Sequence, residues 1–218
     1  MTAVDWPAVR TRVLALLERD PEQGPTAPPL TEQQVAEAEA ELGAPFPSDY
    51  RAYLLHVSAG GWFLDELRRT GHGWGWGGSE RGDLTEPFPG PSNEPDPDAA
   101  PPPGGWMARE WERVAGLAFI ADRGCGAAVG LAFTGPWRGT VWMDNRPACD
   151  EIYPLLTEDD REATFTEWLL DWLAHMEELA GATPEQRGQV AYCWHMGVET
   201  PIDWCPSPAF RPRRTEPL

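Results

Sequence analysis

The sequence predicts an α+β domain: N-terminal helices, a central antiparallel sheet of about four to six strands, and a C-terminal amphipathic helix. Three observations carry this expectation. Apolar residues spaced three and four apart recur from 5 to 57, which is the helical period. Short apolar runs separated by glycine turns follow from 114 to 153. One long amphipathic stretch then closes the regular part of the chain. Strands joined only by tight turns leave no room for crossover helices, so they must pair antiparallel.

The first helix is expected over 5–19, with Asp5 as its cap, Pro7 in the first turn, and Trp6, Val9, Val13, Leu16 and Leu17 on one face. A Pro-rich connector at 20–30 precedes a second helix at 31–42. There Thr31 and Gln34 have capping-box spacing, Val35, Ala38 and Leu42 form the apolar side, and Gly43 ends the helix. Ser48 is expected to cap a third helix running to about Val57, with Tyr50, Tyr53, Leu54 and Val57 buried and Gly60-Gly61 as the stop.

The middle of the chain reads differently. Residues 71–78, Gly-His-Gly-Trp-Gly-Trp-Gly-Gly, cannot form a regular helix, and 85–105 is rich in proline and carboxylates. The expectation for 71–105 is one long surface loop. Strands are expected at 114–121, 127–134 and 140–143, with a short fourth at 151–153. The last long helix is expected from about Asp160 to Leu179, with Phe165, Trp168, Leu169, Trp172, Leu173 and Met176 as its stripe. One more short helix is placed within 184–197, and the Pro-rich tail after Val198 is peripheral. The expected organisation is therefore a helix and connector at 1–30, the α+β domain at 31–180, and an extension at 181–218.

Charge is the most informative bulk property. The net formal charge is −18, with 35 acidic residues against 17 basic ones, all of them arginine. A field of that sign repels nucleic acid and anionic lipid and speeds encounter with basic partners. It argues against a nuclease and against nucleic-acid or membrane partners, although solubility alone also accounts for an acidic surface. No stretch approaches the roughly 20 apolar residues of a membrane span. Met1 to Asp20 carries no basic segment followed by an apolar run, so the cytoplasm is the expected compartment. Cys125, Cys149, Cys193 and Cys205 are read as reduced, packed thiols.

Two blocks of sequence carry a family resemblance. Residues 30–61, LTEQQVAEAEAELGAPFPSDYRAYLLHVSAGG, and residues 120–146, IADRGCGAAVGLAFTGPWRGTVWMDNR, stand in order before an aromatic helix at 165–173. Together they resemble the SUKH superfamily, in the branch of the yeast cell-wall-assembly regulator, over roughly residues 30–180. The resemblance implies an α+β fold, no enzymatic activity and no cofactor. It further implies an immunity role in which bacterial relatives bind and neutralise a cognate toxin, often a nuclease. A regulatory or scaffold adaptor, or a small-ligand binder, are the alternatives. The N-terminal helix, the 71–105 segment and the tail are longer than the family core.

Candidate sites follow from residue chemistry. Trp74 and Trp76, one glycine apart, could anchor a partner or fold back onto the core as a lid. The glycine run around them lacks the Lys-Ser/Thr of a phosphate loop. Residues 141–162 hold seven carboxylates, among them Asp144, Asp150 and Glu151, against Arg146 and Arg161. That run could mimic nucleic-acid charge before a basic toxin site, or simply be a solvated face. Asp159 and Asp160 also suit the positive start of the last helix. The expected partner-binding residues are thus Trp74, Trp76, Asp144, Asp150 and Glu151, and the expected partner is a basic protein. Cys193, His195 and Cys205, with Cys125 or Cys149, lack the paired spacing of a zinc site. His56, His72 and His175 are read as ordinary histidines, and no catalytic residue is expected.

Overall fold

The computed structural model describes residues 3–19, 25–76, 82–91, 110–123, 126–146, 152–157, 159–181, 190–193 and 198–201. Helix α1 (Trp6–Arg19) opens the chain, and the Asp5 carboxylate accepts from the Ala8 N–H at 3.0 Å, so Asp5 is its cap. Helix α2 (Glu32–Leu42) has the reciprocal capping box of Thr31 and Gln34, and Gly43 ends it in the left-handed conformation. Helix α3 (Ser48–His56) departs from expectation at its start. Pro47 occupies the cap position, with no side-chain cap bond, and Ser48 is already helical.

The long loop expected at 71–105 is not all loop. Strands β1 (Leu67–Thr70) and β2 (Gly73–Trp76) form an antiparallel hairpin, with Leu67 opposite Trp76 and Thr70 opposite Gly73. Strands β3 (Leu117–Asp122), β4 (Ala128–Ala132), β5 (Val141–Asp144) and β6 (Ile152–Pro154) make a four-stranded antiparallel sheet in that order. A register shift falls between Phe119 and Ala121. The alternation of side chains splits this sheet between two apolar layers. Ala118, Ile120, Val129, Leu131, Val141 and Met143 meet the helices. Leu117, Phe119, Ala132, Trp142 and Ile152 face the other way, packing with Phe88 and Val114. Segment 82–91 thus lies across the second face as a strap. The Phe88 N–H donates to the Thr134 carbonyl, and the Gly116 N–H to that of Asp83.

Helix α4 (Phe165–Gly181) starts five residues after the expected Asp160. Thr164 caps it: the Glu167 N–H donates to Thr164 Oγ1 at 3.3 Å, and the Thr164 N–H returns to Glu167 Oε2 at 3.0 Å. Asp159 and Asp160 lie in the preceding turn, and Asp160 has φ 59°. Arg161 forks onto Glu167, which together with the cap bonds holds the Glu167 carboxyl down to about 2 against the opposing effect of burial. Because the folded pKa is depressed, this contribution to stability is fully present above the unfolded value near 4.3 and is lost as pH falls toward about 2. Glu167→Gln is expected to flatten that acid limb, read by chemical denaturation at a series of pH values. An unchanged limb would refute the assignment.

Helix α1 packs on α3 and α4. Arg12 pairs with Glu177 through two hydrogen bonds of 2.7 and 2.9 Å, and Arg10 reaches the Val57 carbonyl at 2.9 Å. Beyond α4, β7 (Val190–Cys193) pairs antiparallel with β8 (Val198–Pro201), so 190–193 of the range expected to hold a short helix is strand, and the rest of 184–197 lies outside the described residues. Two short runs able to pair with each other satisfy their backbone groups without a helix. Among the described residues, no helix is long and apolar enough to cross a membrane.

Candidate partner-binding surface

The glycine–tryptophan alternation of β2 has a backbone cause. A Cβ at Gly73, whose φ is +100°, would sit 1.8 Å from Glu41 Oε1. Only glycine lets the strand come that close to α2, and the same carboxylate accepts from the Trp74 N–H at 2.9 Å. Arg69 then faces Glu37 and Glu41, each at 3.7 Å, so charge as well as backbone ties the hairpin to the helix.

That clamp determines where the two tryptophans go. Trp74 and Trp76 are each only 5% exposed. Trp76 Nε1 donates to the Tyr50 hydroxyl at 2.7 Å within a cluster that includes Phe46 and Phe133. Burial pushes the Tyr50 and Tyr53 phenols well above their ordinary range. A cleft of about 400 Å³ opens beside the hairpin, lined by Pro28, Pro29, Gln34, Arg68, Arg69 and Trp74. The buried Trp74 Nε1 has no acceptor.

Asp144 closes β5 and is 4% exposed. Arg146 grips it with Nε at 2.9 Å and Nη2 at 2.7 Å, and reaches Glu110 with Nη1 at 3.0 Å. Arg113 holds the same Glu110 oxygen at 3.0 Å. The carboxylate therefore fastens the segment around residue 110 to the sheet, and it does not stand on the surface. Asp150 and Glu151 lie outside the described residues, as do Cys125, Cys149, His195 and Cys205, and of Cys193 only the strand backbone is described. Among the described residues no group of three or more His, Cys, Asp or Glu could hold a metal ion. His56 and His72 are exposed on separate elements, while burial lowers the pKa of His175 against the opposing effect of Glu178.

Sequence reasoning missed a feature just beyond the Gly60-Gly61 stop. The Gly61 N–H donates to the Leu64 carbonyl at 2.7 Å, which leaves Trp62 and Phe63 as the tip of a tight turn. Trp62 has φ 66°, a conformation that a bulky side chain rarely adopts. The base of the turn is fixed by Ser58, whose Oγ donates to the Ala27 carbonyl at 2.7 Å and accepts from the Gly60 N–H at 3.0 Å. At Gly60 (φ +120°) a Cβ would sit 2.4 Å from the Asp65 carbonyl oxygen. Gly60→Ala is accordingly expected to cost about 1–3 kcal/mol in backbone conformation alone. A thermal melt would show it, and a melt like that of the parent chain would contradict it. The Phe63 ring stacks on Trp172 at 3.6 Å, and Trp62 meets the same indole edge-on at 4.8 Å. The sequence signal was available, since two large aromatics stand where a two-residue turn usually takes Asn and Gly.

The fold and these sites define a class: a helix-covered antiparallel α+β domain whose motif residues serve mostly to hold its own elements together. The chain belongs to the SMI1/KNR4 family (SUKH-1), whose family model matches residues 29–171. Neither a curated protein nor a solved structure gives a match. The matched region takes in α2, α3, both sheets up to β6 and the first part of α4, and leaves α1 outside. Membership is consistent with a non-enzymatic domain of immunity or regulatory type that binds other proteins.

Proposed function

We propose that this protein is a non-enzymatic binding domain that neutralises a cognate toxin by occluding it. The observation that carries the reading is the SUKH-1 family match over residues 29–171. The net charge of −18 supports a basic partner, because carboxylates steer association with cationic surfaces and lose effect as salt rises. In this reading the acidic run that includes Asp150 and Glu151 contributes to steering, while the interior indoles of Trp74 and Trp76 shape the surface from below. The domain acts in the cytoplasm and uses no cofactor.

The test is an affinity pull-down with the tagged full chain from its native lysate at low salt, repeated at high salt. One basic protein with a toxin-like domain, recovered at low salt and weakened at high salt, is the expected result. Its toxicity on expression should be suppressed by co-expression of this chain. Recovery of several unrelated partners would favour a regulatory adaptor, and recovery of none would overturn the toxin reading.

A second reading, a small-ligand binder, is favoured by the cleft beside Trp74 and by that residue's indole Nε1, which has no acceptor. Saturable quenching of tryptophan fluorescence by a metabolite fraction, abolished by filling the cleft with Gln34→Trp, would favour it over the first.

A further inference from the structure

The cleft beside β1 is walled by stretches that the backbone ties together. The Leu67 N–H donates to the Ala59 carbonyl at 2.8 Å, and the Ala59 N–H donates to that of Pro28 at 3.1 Å. The Leu30 N–H reaches the Leu54 carbonyl at 2.8 Å, so the connector is fixed to α3 just before α2 begins. The walls are therefore set before anything enters, which lowers the ordering cost of binding. At about 400 Å³ the cleft falls in the size range of small-molecule sites.

The polar groups of this cleft are short of acceptors. Trp74 lines it, and the buried Trp74 Nε1–H has no acceptor among the described residues. Buried donors are rarely left so. The Trp76 and Trp142 indoles donate to Tyr50 and Thr140 at 2.7 and 2.8 Å. Trp172 also lacks an acceptor, but its ring is enclosed by the stack with Trp62 and Phe63. Arg69 is the residue directly opposite Trp74 on the hairpin, and opposite residues of an antiparallel pair project from the same face. Its guanidinium stands 3.7 Å from both Glu37 and Glu41, beyond hydrogen-bond reach, and the side chain is exposed. Gln34 spends its side-chain carbonyl on the Thr31 N–H and hydroxyl at 2.9 and 3.0 Å, which leaves its amide N–H groups to bond. Arginine on a strand edge also deters pairing with another chain, a role that needs neither a cleft nor a buried donor beside it. The rest of the wall is largely apolar, with Pro28, Pro29, Leu30 and Leu67.

We propose that this cleft binds a small apolar carboxylate, which lays its body against the proline wall and gives its two oxygens to Trp74 Nε1–H and to the Arg69 guanidinium. The proposal rests on the small-ligand reading of the cleft and names the class of ligand. It is independent of the toxin reading. A carboxylate supplies the two acceptors that adjacent N–H donors require, and a charge-assisted bond is stronger than a neutral one. The Trp74 Nε1 is shielded from water, so its acceptor has to come from a group that fills the cleft against the ring.

The probe is phenylacetate, compared with its neutral amide, phenylacetamide, and with inorganic phosphate. Each is titrated into the isotope-labelled full chain at physiological salt, where long-range repulsion by the net charge is screened. The readout is the Trp74 indole N–H resonance, assigned through its own backbone. Phenylacetate is expected to move that resonance downfield and saturably. Phenylacetamide and phosphate should bind about tenfold or more weakly, because one lacks the charge and the other the apolar body. Arg69→Gln should weaken phenylacetate by about tenfold and leave phenylacetamide within about twofold. Arg19→Gln, an exposed arginine outside the cleft lining, should change neither. An unmoved Trp74 resonance, equal affinity for the acid and the amide, or an Arg69→Gln chain that binds phenylacetate like the parent would each overturn the proposal. If metabolite quenching that Gln34→Trp abolishes accompanied any of these, the ligand class would fall and the cleft reading would stand. Loss of the quenching as well would end both.

Discussion

Replacing Arg146 with alanine is expected to destabilise the chain by about 3–5 kcal/mol, the usual effect of removing one member of a buried ion pair. The reason lies in what stays behind. Asp144 is 4% exposed, and both its oxygens are held by the Arg146 fork at 2.9 and 2.7 Å. Without that fork the carboxylate keeps, among the described residues, the Arg146 backbone N–H at 3.2 Å. Glu110 loses a partner at the same time, so the segment that covers the second face of the sheet is loosened. Lysine at 146 should recover little, since a single ammonium cannot reproduce a two-point fork. The double variant Asp144→Leu/Arg146→Met should be markedly milder than Arg146→Ala, because it leaves no carboxylate stranded at 144. Urea unfolding of the three variants checks this. A loss below about 1 kcal/mol for Arg146→Ala would show that the pair is solvated after all.

Trp76→Ala is expected to cost a comparable 3–5 kcal/mol or so, by emptying an indole-sized space in the core. Trp76 joins the hairpin to α3, because its ring packs against Phe133 at 5.6 Å and its Nε1 donates to the Tyr50 hydroxyl at 2.7 Å. Trp76→Phe separates the two contributions. It keeps a ring in the cluster and removes the donor, so about 1–3 kcal/mol should be lost, the range for leaving a buried polar group poorly satisfied. If alanine and phenylalanine at 76 gave the same midpoint shift, the hydrogen bond would carry the whole effect and the packing argument would fail.

Local chemistry was legible in the sequence. The caps at Asp5, Thr31 and Gly43 and the stripe of α4 each depend on residues within a few positions of one another, and each is found in the fold. The Thr164–Glu167 capping box was equally readable, but the run of carboxylates at 158–160 drew the expected helix start five residues too early. Strand β2 was hidden because glycine is a poor strand former by propensity. Its strand conformation is decided by Glu41, 33 positions earlier, which binds the Trp74 N–H.

The sequence by itself determined the α+β class, the helices α1 to α4, the antiparallel pairing of the central strands and the acidic character of the chain. These follow from period, capping and charge, which need no knowledge of distant residues. Only the tertiary structure decided which conspicuous residues face inward. Trp74, Trp76 and Asp144 look like surface anchors in a string of letters, yet long-range partners at Tyr50, Glu41, Arg146 and Glu110 draw them inside. Trp62 reads as the end of a helix stop, and the fold presents it on a strained turn. Burial depends on contacts far apart along the chain, and those exist only once the chain has closed on itself.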